Sequence, residues 1–399
     1  MWLNIAILAA VAITAALLWS PMLLRSITWR AMITPLASII GSGFLVLGPV
    51  LDAAYGVWAP LAMAGLCVGA WLFGAAIRYN IAAIGDDPRV PARLQAGFEQ
   101  AASWALGFAY VISVAYYLNL FGAFAVNLTP LDSPVAGRAV TTGMFALIAA
   151  VGWTRGFKAL ERMEHVSVTV KLAIIAGLLV GLAGFFGGKV ADGTLVFNPP
   201  EVTIWPAITL GFGLIVTVQG FETSRYLKAS YDAATRIRSM KWAQWLSAAI
   251  YMTYIALIAY VFERGEIVLS ETAIIDMMGA VAPVLPALLV AAALAAQFSA
   301  AVADTSGSGG LIAELTGRRV SARMAYLLLC AMGAALTWSA NIFEIISYAS
   351  RAFAVYYTLQ AAIAAATAHQ RGAWGRAMLF ASLALLGLAI ALLGAPVAA

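Results

Sequence analysis

The sequence predicts an all-α integral membrane protein of about twelve transmembrane helices, and three observations support this. Hydrophobic residues make up 63% of the 399 and charged residues only 10%, where a soluble domain carries about a quarter. Apolar runs of crossing length follow one another through the whole chain. The cations collect in alternate connecting loops, as the positive-inside rule requires. One aqueous globule could not hide this much apolar surface, so lipid is the solvent for most of the chain.

The first run, 4–19, lacks a basic leader and an A-x-A site before the next span. It is therefore expected to remain as a helix rather than to be cleaved as a signal peptide. The next five runs are 33–51, 57–78, 98–126, 139–154 and 165–187. A second series follows at 205–226, 242–262, 283–304, 323–340 and 342–366, and 375–395 closes the chain. Linkers are short, so one integral domain is expected. It divides into 1–32 as an extra N-terminal helix with its loop, 33–366 as the core, and 367–399 as an extra C-terminal helix.

Cations orient the spans. Arg25, Arg30, Arg78, Arg89, Arg93, Arg155, Lys158, Arg162, Arg225, Lys228, Arg236, Arg238, Lys241, Arg318, Arg319, Arg323, Arg371 and Arg376 fall on one side. Arg138, Lys189 and Arg264 fall on the other, while Lys171 and Arg351 lie inside spans. The richer side is expected to be cytoplasmic, which puts both termini outside an inner membrane. The net charge of +5 is spread over loops and makes no nucleic-acid patch. Cys67 and Cys330 sit in separate apolar runs and are expected as buried thiols, with no metal or disulfide pattern.

Two spans carry a weakness at membrane depth. The second reads Pro35-Leu36-Ala37-Ser38-Ile39-Ile40-Gly41-Ser42-Gly43, and each glycine costs a helix about 1 kcal/mol relative to alanine. The seventh reads Pro206-Ala207-Ile208-Thr209-Leu210-Gly211-Phe212-Gly213, followed by Thr217-Val218-Gln219-Gly220-Phe221-Glu222. Close helix packing is one reading of such glycines. The other is unwound backbone lining a cavity, with a half-helix N-terminus open to an anion. The two segments lie five spans apart and so run oppositely through the membrane. Interrupted helices at matching positions of two halves point to an inverted-repeat transporter.

Here the sequence resembles the amino acid–polyamine–organocation (APC) superfamily, whose members share the LeuT-like fold of two inverted five-helix repeats. Ile40-Gly41-Ser42-Gly43-Phe44 is similar to the family's glycine-rich break in core helix one. Gly220-Phe221-Glu222 is similar to the Gly-aromatic-Glu end of the break in core helix six, and Lys171 to the lysine of core helix five in sodium-independent members. The resemblance covers 33–366, with 33–187 and 205–366 as the repeats. Val216, Thr217 and Val218 stand where the family often places an aromatic gate. The Asp-Pro-Gly-Asn and Met-Pro-His signatures of divalent-metal relatives are absent, so metal transport is set aside.

The resemblance implies a permease for an amino acid or related amine-carboxylate, sodium-independent and working by proton symport or exchange. Ile39, Ile40, Gly41, Ser42 and Gly43 would present N–H groups to the substrate carboxylate. Carbonyls of Thr217 to Gly220 would meet its amine, with Thr217 and Gln219 lining the cavity. Tyr116, Tyr117 and Asn119 are further lining candidates, or else members of an interfacial belt. The Lys171 ammonium would bridge the first break and Ser299, or would snorkel to the headgroups. Arg351, about ten residues into its span, must face protein or water, because lipid exposure at mid-bilayer costs about 3 kcal/mol or more. It is expected beside Glu222, as an ion pair or as a reader of substrate. Asp304 and Glu314 read as cytoplasmic-end residues. His165 and His369 sit at the boundary, too far out to activate Thr305 or Ser306 as a nucleophile.

Without a Walker-type loop the energy source is expected to be a gradient, and no cofactor is expected. The partners implied are a small-molecule substrate, protons and the bilayer. Other readings are an organic-anion or nucleobase carrier, a channel or sensor, and an intramembrane enzyme. The last lacks paired acids or a histidine cluster.

Overall fold

The computed structural model describes residues 2–41, 43–84, 93–154, 163–265 and 268–397. Ser42 and the loop cations Arg89, Arg155, Lys158 and Arg162 lie outside these residues. Helices dominate and no strand occurs among the described residues. The first half contains α1 (Trp2–Leu18), α2 (Pro21–Arg25), α3 (Ile27–Ile39), α4 (Gly43–Tyr55), α5 (Ala59–Ile84), α6 (Arg93–Asn127), α7 (Pro134–Thr154) and α8 (Met163–Ala191). The second contains α9 (Ile204–Gly213), α10 (Thr223–Tyr226), α11 (Ala233–Ile258), α12 (Ala273–Val281), α13 (Leu285–Leu315), α14 (Ala322–Ser339), α15 (Ile342–Gln370) and α16 (Trp374–Leu393).

Among the described residues, eight helical stretches are long and apolar enough to cross a membrane. The expected spans 33–51 and 205–226 are each split, into α3 with α4 and into α9 with α10. The expected spans 242–262 and 342–366 are also helical. Both helices also carry charged residues, Arg236, Arg238 and Lys241 in α11 and Glu344 and Arg351 in α15.

Local signals place several helix starts. Asp232 accepts a hydrogen bond from the Thr235 N–H at 2.7 Å and caps α11. That cap starts the helix nine residues before the expected span. Its hydrogen bonds to Thr235 hold the exposed Asp232 carboxyl below the usual 3.8. Asn341 and Glu344 form a reciprocal capping box at the start of α15.

Two expectations need correction. The span 283–304 was expected to end at Asp304, before Thr305-Ser306-Gly307-Ser308-Gly309-Gly310, but α13 continues to Leu315. The glycines there accommodate neighbours rather than ending the helix: a Cβ on Gly309 would lie 2.0 Å from the Tyr326 ring. Asp304 is therefore a buried mid-helix residue. The short α12 has no counterpart among the expected spans, because nine residues fall far below crossing length.

The extra helix α1 docks on α8 through a glycine face. Cβ atoms on Gly177, Gly181 and Gly184 would meet Val11 at 2.6 Å, Ile7 at 3.1 Å and Leu3 at 2.8 Å. Small residues let two helices approach closely where lipid offers no hydrophobic drive. At the centre α6 and α13 pack antiparallel, with Ser113 bonded to Asp304 and Ser308 to the Gly107 carbonyl.

Candidate functional site

The two helix breaks meet. α3 ends at Ile40, whose N–H still bonds the Leu36 carbonyl, and α4 restarts at Gly43. In the other segment a 3-10 turn over Ile215–Val218 follows α9, Gln219 is extended, and Gly220 takes a φ of +116°. A Cβ on Gly220 would lie 2.6 Å from the Ile39 nitrogen and from Ser38. A Cβ on Gly43 would lie 2.8 Å from the Thr217 Cα. Gly220 thus serves two needs, a left-handed backbone and close contact with the other break.

The freed backbone groups are satisfied by side chains from other helices. Tyr251, on α11, places its hydroxyl 2.9 Å from the Ile39 carbonyl oxygen and 2.7 Å from that of Thr217, sharing one proton between the breaks. Lys171, 2% exposed, donates from Nζ to the Ala37 carbonyl at 2.7 Å. Its ammonium therefore sits at the C-terminus of α3, where the helix dipole favours a cation. Snorkelling is not what Lys171 does. On the second break, Glu222 Oε2 accepts from the Gly220 N–H at 2.9 Å and from the Tyr357 hydroxyl at 3.1 Å.

Several expected contacts take a different form. The Thr217 hydroxyl turns back to the Leu214 carbonyl at 2.5 Å, and the Thr217 carbonyl is taken by Tyr251. The Gly220 carbonyl accepts from Thr223. Of the N–H groups expected from Ile39 to Gly43, that of Ile40 is spent on Leu36. Gly43 heads α4, so its N–H is among those a helix start leaves without an intrahelical acceptor. Ser299 Oγ is buried without a hydrogen-bond partner, so the expected bridge from Lys171 reaches the first break but not this hydroxyl. Tyr116 and Tyr117 are wholly buried beside the breaks rather than in an interfacial belt, and Tyr117 accepts from the Gln219 amide at 3.1 Å. Asn119 turns away to Thr337 on α14.

Arg351 is not beside Glu222. Its side chain is exposed, and Nε donates to the Ala391 carbonyl at 2.8 Å. Ala391 lies in the last turn of α16, whose final carbonyls lack intrahelical donors. The guanidinium thus caps the C-terminal end of α16. Glu222, by contrast, is completely buried.

The structure adds Gln297, which sequence reasoning passed over, and moves Asp304 into the interior. Asp304 is buried against Ser113. Gln297 is wholly buried with neither amide atom hydrogen-bonded, and Gln219 Oε1 and Glu222 Oε1 are likewise without partners. Gln297 stands two turns before Asp304 on the face of α13 that meets α6. A polar residue in a long alanine-rich run was the available signal; its burial was not readable from the run itself. Each unmet buried polar group costs about 1–3 kcal/mol, so each of these atoms is a candidate to hydrogen-bond a guest.

Comparison with known proteins agrees with this architecture. A family model described as APC superfamily transporter matches residues 21–394. An uncharacterised protein of Aquifex aeolicus (strain VF5) is 43% identical over 357 residues, covering 86% of this chain and 85% of that protein. With two interrupted helices in contact and a match over nearly its whole length, the chain belongs to the APC superfamily of transporters, as a multi-pass membrane protein.

Proposed function

We propose that the protein is a permease moving an amino acid or related small amine-carboxylate across a bacterial inner membrane, by proton symport or exchange. The contact between the breaks carries this reading: Gly220 against Ser38 and Ile39, and Gly43 against Thr217. The α4 N-terminus at Gly43 offers positive dipole to a carboxylate. The polar groups of Gln219, Glu222 and Gln297 offer hydrogen bonds to the rest of the solute. Lys171 supplies a fixed positive charge at α3, so sodium is not required. In this reading 33–187 and 205–366 are inverted repeats of a LeuT-like core. The segments 1–32 and 367–399 each add a helix, and both termini face outward. Alternating access comes from rocking one repeat against the other about the breaks.

A second solute class has its own support. The doubly unpaired Gln297 amide matches a neutral edge with adjacent donor and acceptor, as on a nucleobase. One screen separates the two. Thermal unfolding of the purified full chain is measured against amino acids, amines, organic acids and nucleobases. A ligand at a hundredfold excess over its Kd stabilises by about 2.7 kcal/mol. Stabilisation by amino acids, followed by sodium-independent uptake of the same compound into liposomes, is expected. Stabilisation by nucleobases alone selects the second reading, and stabilisation by neither class overturns both.

A further inference from the structure

Ser113, wholly buried on α6, meets two oxygens. Its Oγ lies within hydrogen-bond reach of Asp304 Oδ2 on α13, and 3.1 Å from the Tyr110 carbonyl one turn back on its own helix. A serine hydroxyl carries a single proton, whereas a carbonyl and an ionised carboxylate only accept. With Asp304 ionised, one of the two contacts would set lone pair against lone pair. With Asp304 protonated both are made: Oδ2–H donates to Ser113 Oγ, and Ser113 donates to the Tyr110 carbonyl. Burial favours the same form, because Asp304 is 3% exposed and a carboxyl taken out of water neutralises rather than carry its charge.

The pair is also tied to the breaks. Tyr110 and Tyr117 stand one turn to either side of Ser113 on α6, and Tyr117 accepts from Gln219 of the second break. From α14, Tyr326 packs at Gly309. α8 runs antiparallel to α13, with Ser167 on the Ala295 carbonyl and Gly181 against Leu285. Lys171 therefore lies on the far side of Ala295 from Asp304, with its ammonium on the Ala37 carbonyl. The charged residues Arg30 of α3 and Asp276 of α12 are exposed. The other buried carboxyl, Glu222, is bonded to Gly220 and Tyr357.

From this geometry we propose that Asp304 and Ser113 form the proton-binding site of the transporter, with Asp304 protonated in the closed arrangement seen here. When the core opens and water reaches Asp304, the Oδ2–H bond breaks and the proton passes to water. The negative charge stays on the carboxylate, and the Ser113 hydroxyl turns to it from the Tyr110 carbonyl. α6 carries that change one turn along to Tyr117 and the second break. Ser113 is a positioning residue. The coupling role rests on the proton-symport reading above; the protonated state does not.

The test uses the full chain and two readouts. Infrared spectra in detergent at neutral pH, in ordinary and heavy water, show protonated carboxyls as a C=O band that shifts on deuteration. Asp304→Asn should remove one such band, distinct from any that Glu222→Gln removes. Ser113→Ala, which deletes the acceptor, should shift that band, and it decides alone if Asp304→Asn fails to fold. For coupling, liposomes loaded with a pH dye receive an equimolar mixture of amino acids, or of nucleobases, from outside. Wild-type liposomes should acidify with one mixture; Asp304→Asn should lose the acidification and Asp304→Glu should keep part of it. No band lost in Asp304→Asn, or none shifted in Ser113→Ala, overturns the protonated assignment. Acidification by Asp304→Asn at the wild-type rate overturns the coupling role while leaving proton symport standing. No acidification by the wild type with either mixture overturns proton symport and the coupling role together.

Discussion

The Lys171 ammonium lies 2.7 Å from the carbonyl oxygen of Ala37, where α3 stops inside the bundle. A charge held there stabilises the interruption, and under the proposed function it stands in for a sodium ion. Lys171→Met keeps much of the bulk and removes the charge. It should cost about 1–3 kcal/mol through the unpaired carbonyl and abolish uptake. Lys171→Ala leaves space, and uptake by that variant should recover in part when sodium is added. Liposome uptake of a screened substrate checks this; full sodium-free activity of either variant would remove Lys171 from the mechanism.

Tyr251 joins the two breaks with one hydroxyl. Tyr251→Phe keeps the ring and deletes the donor from two carbonyls. A loss of about 1–3 kcal/mol is expected, read as a lower unfolding temperature, with transport impaired more than expression. An unchanged melting curve would mean that the breaks hold together without this bridge.

Gly220 and Gly310 form a matched pair for substitution. Gly220 has a φ of +116° and backbone 2.6 Å from where a Cβ would stand, whereas nothing lies within 4 Å of a Cβ on Gly310. Gly220→Ala should abolish transport and lower the yield of folded protein. Gly310→Ala should be neutral or stabilise α13 by up to about 1 kcal/mol. Gel-filtration yield and uptake read both.

Arg351 and Glu222 should behave as independent sites. Arg351 is exposed and bonded to a carbonyl in the last turn of α16, and Glu222 is buried and bonded to Tyr357. In a double-mutant cycle, Arg351→Gln and Glu222→Gln should couple by less than about 0.5 kcal/mol. Only Glu222→Gln should impair transport. Coupling of several kcal/mol would put the two charges in one network.

The contrast between these residues shows how far the sequence could be read. Gly41, Gly43 and Gly220 announced the breaks because glycine has a definite backbone cost, and Lys171 stood out because ammonium is rare at that depth. Arg351 misled because its place in a span does not show which neighbouring backbone its guanidinium reaches. Here the end of α16 comes down beside it. Asp304 was placed too far out because its span was ended there, whereas the helix runs on to Leu315 with Tyr326 packed against Gly309. Tyr251 carried no signal, being one aromatic in an apolar run whose importance arises only from two distant carbonyls. Gln297 was hidden similarly, since a missing partner is a property of the packed bundle.

The glycine face of α8 binds the added helix α1 at Gly177, six residues after the lysine that holds the end of α3. α1 and the first break thus grip opposite stretches of a single stiff rod. Any tilt of α8 that draws Nζ away from Ala37 must drag α1 through lipid, and anything that pins α1 resists the tilt. A helix that looks like an appendage in the chain is mechanically in series with the break.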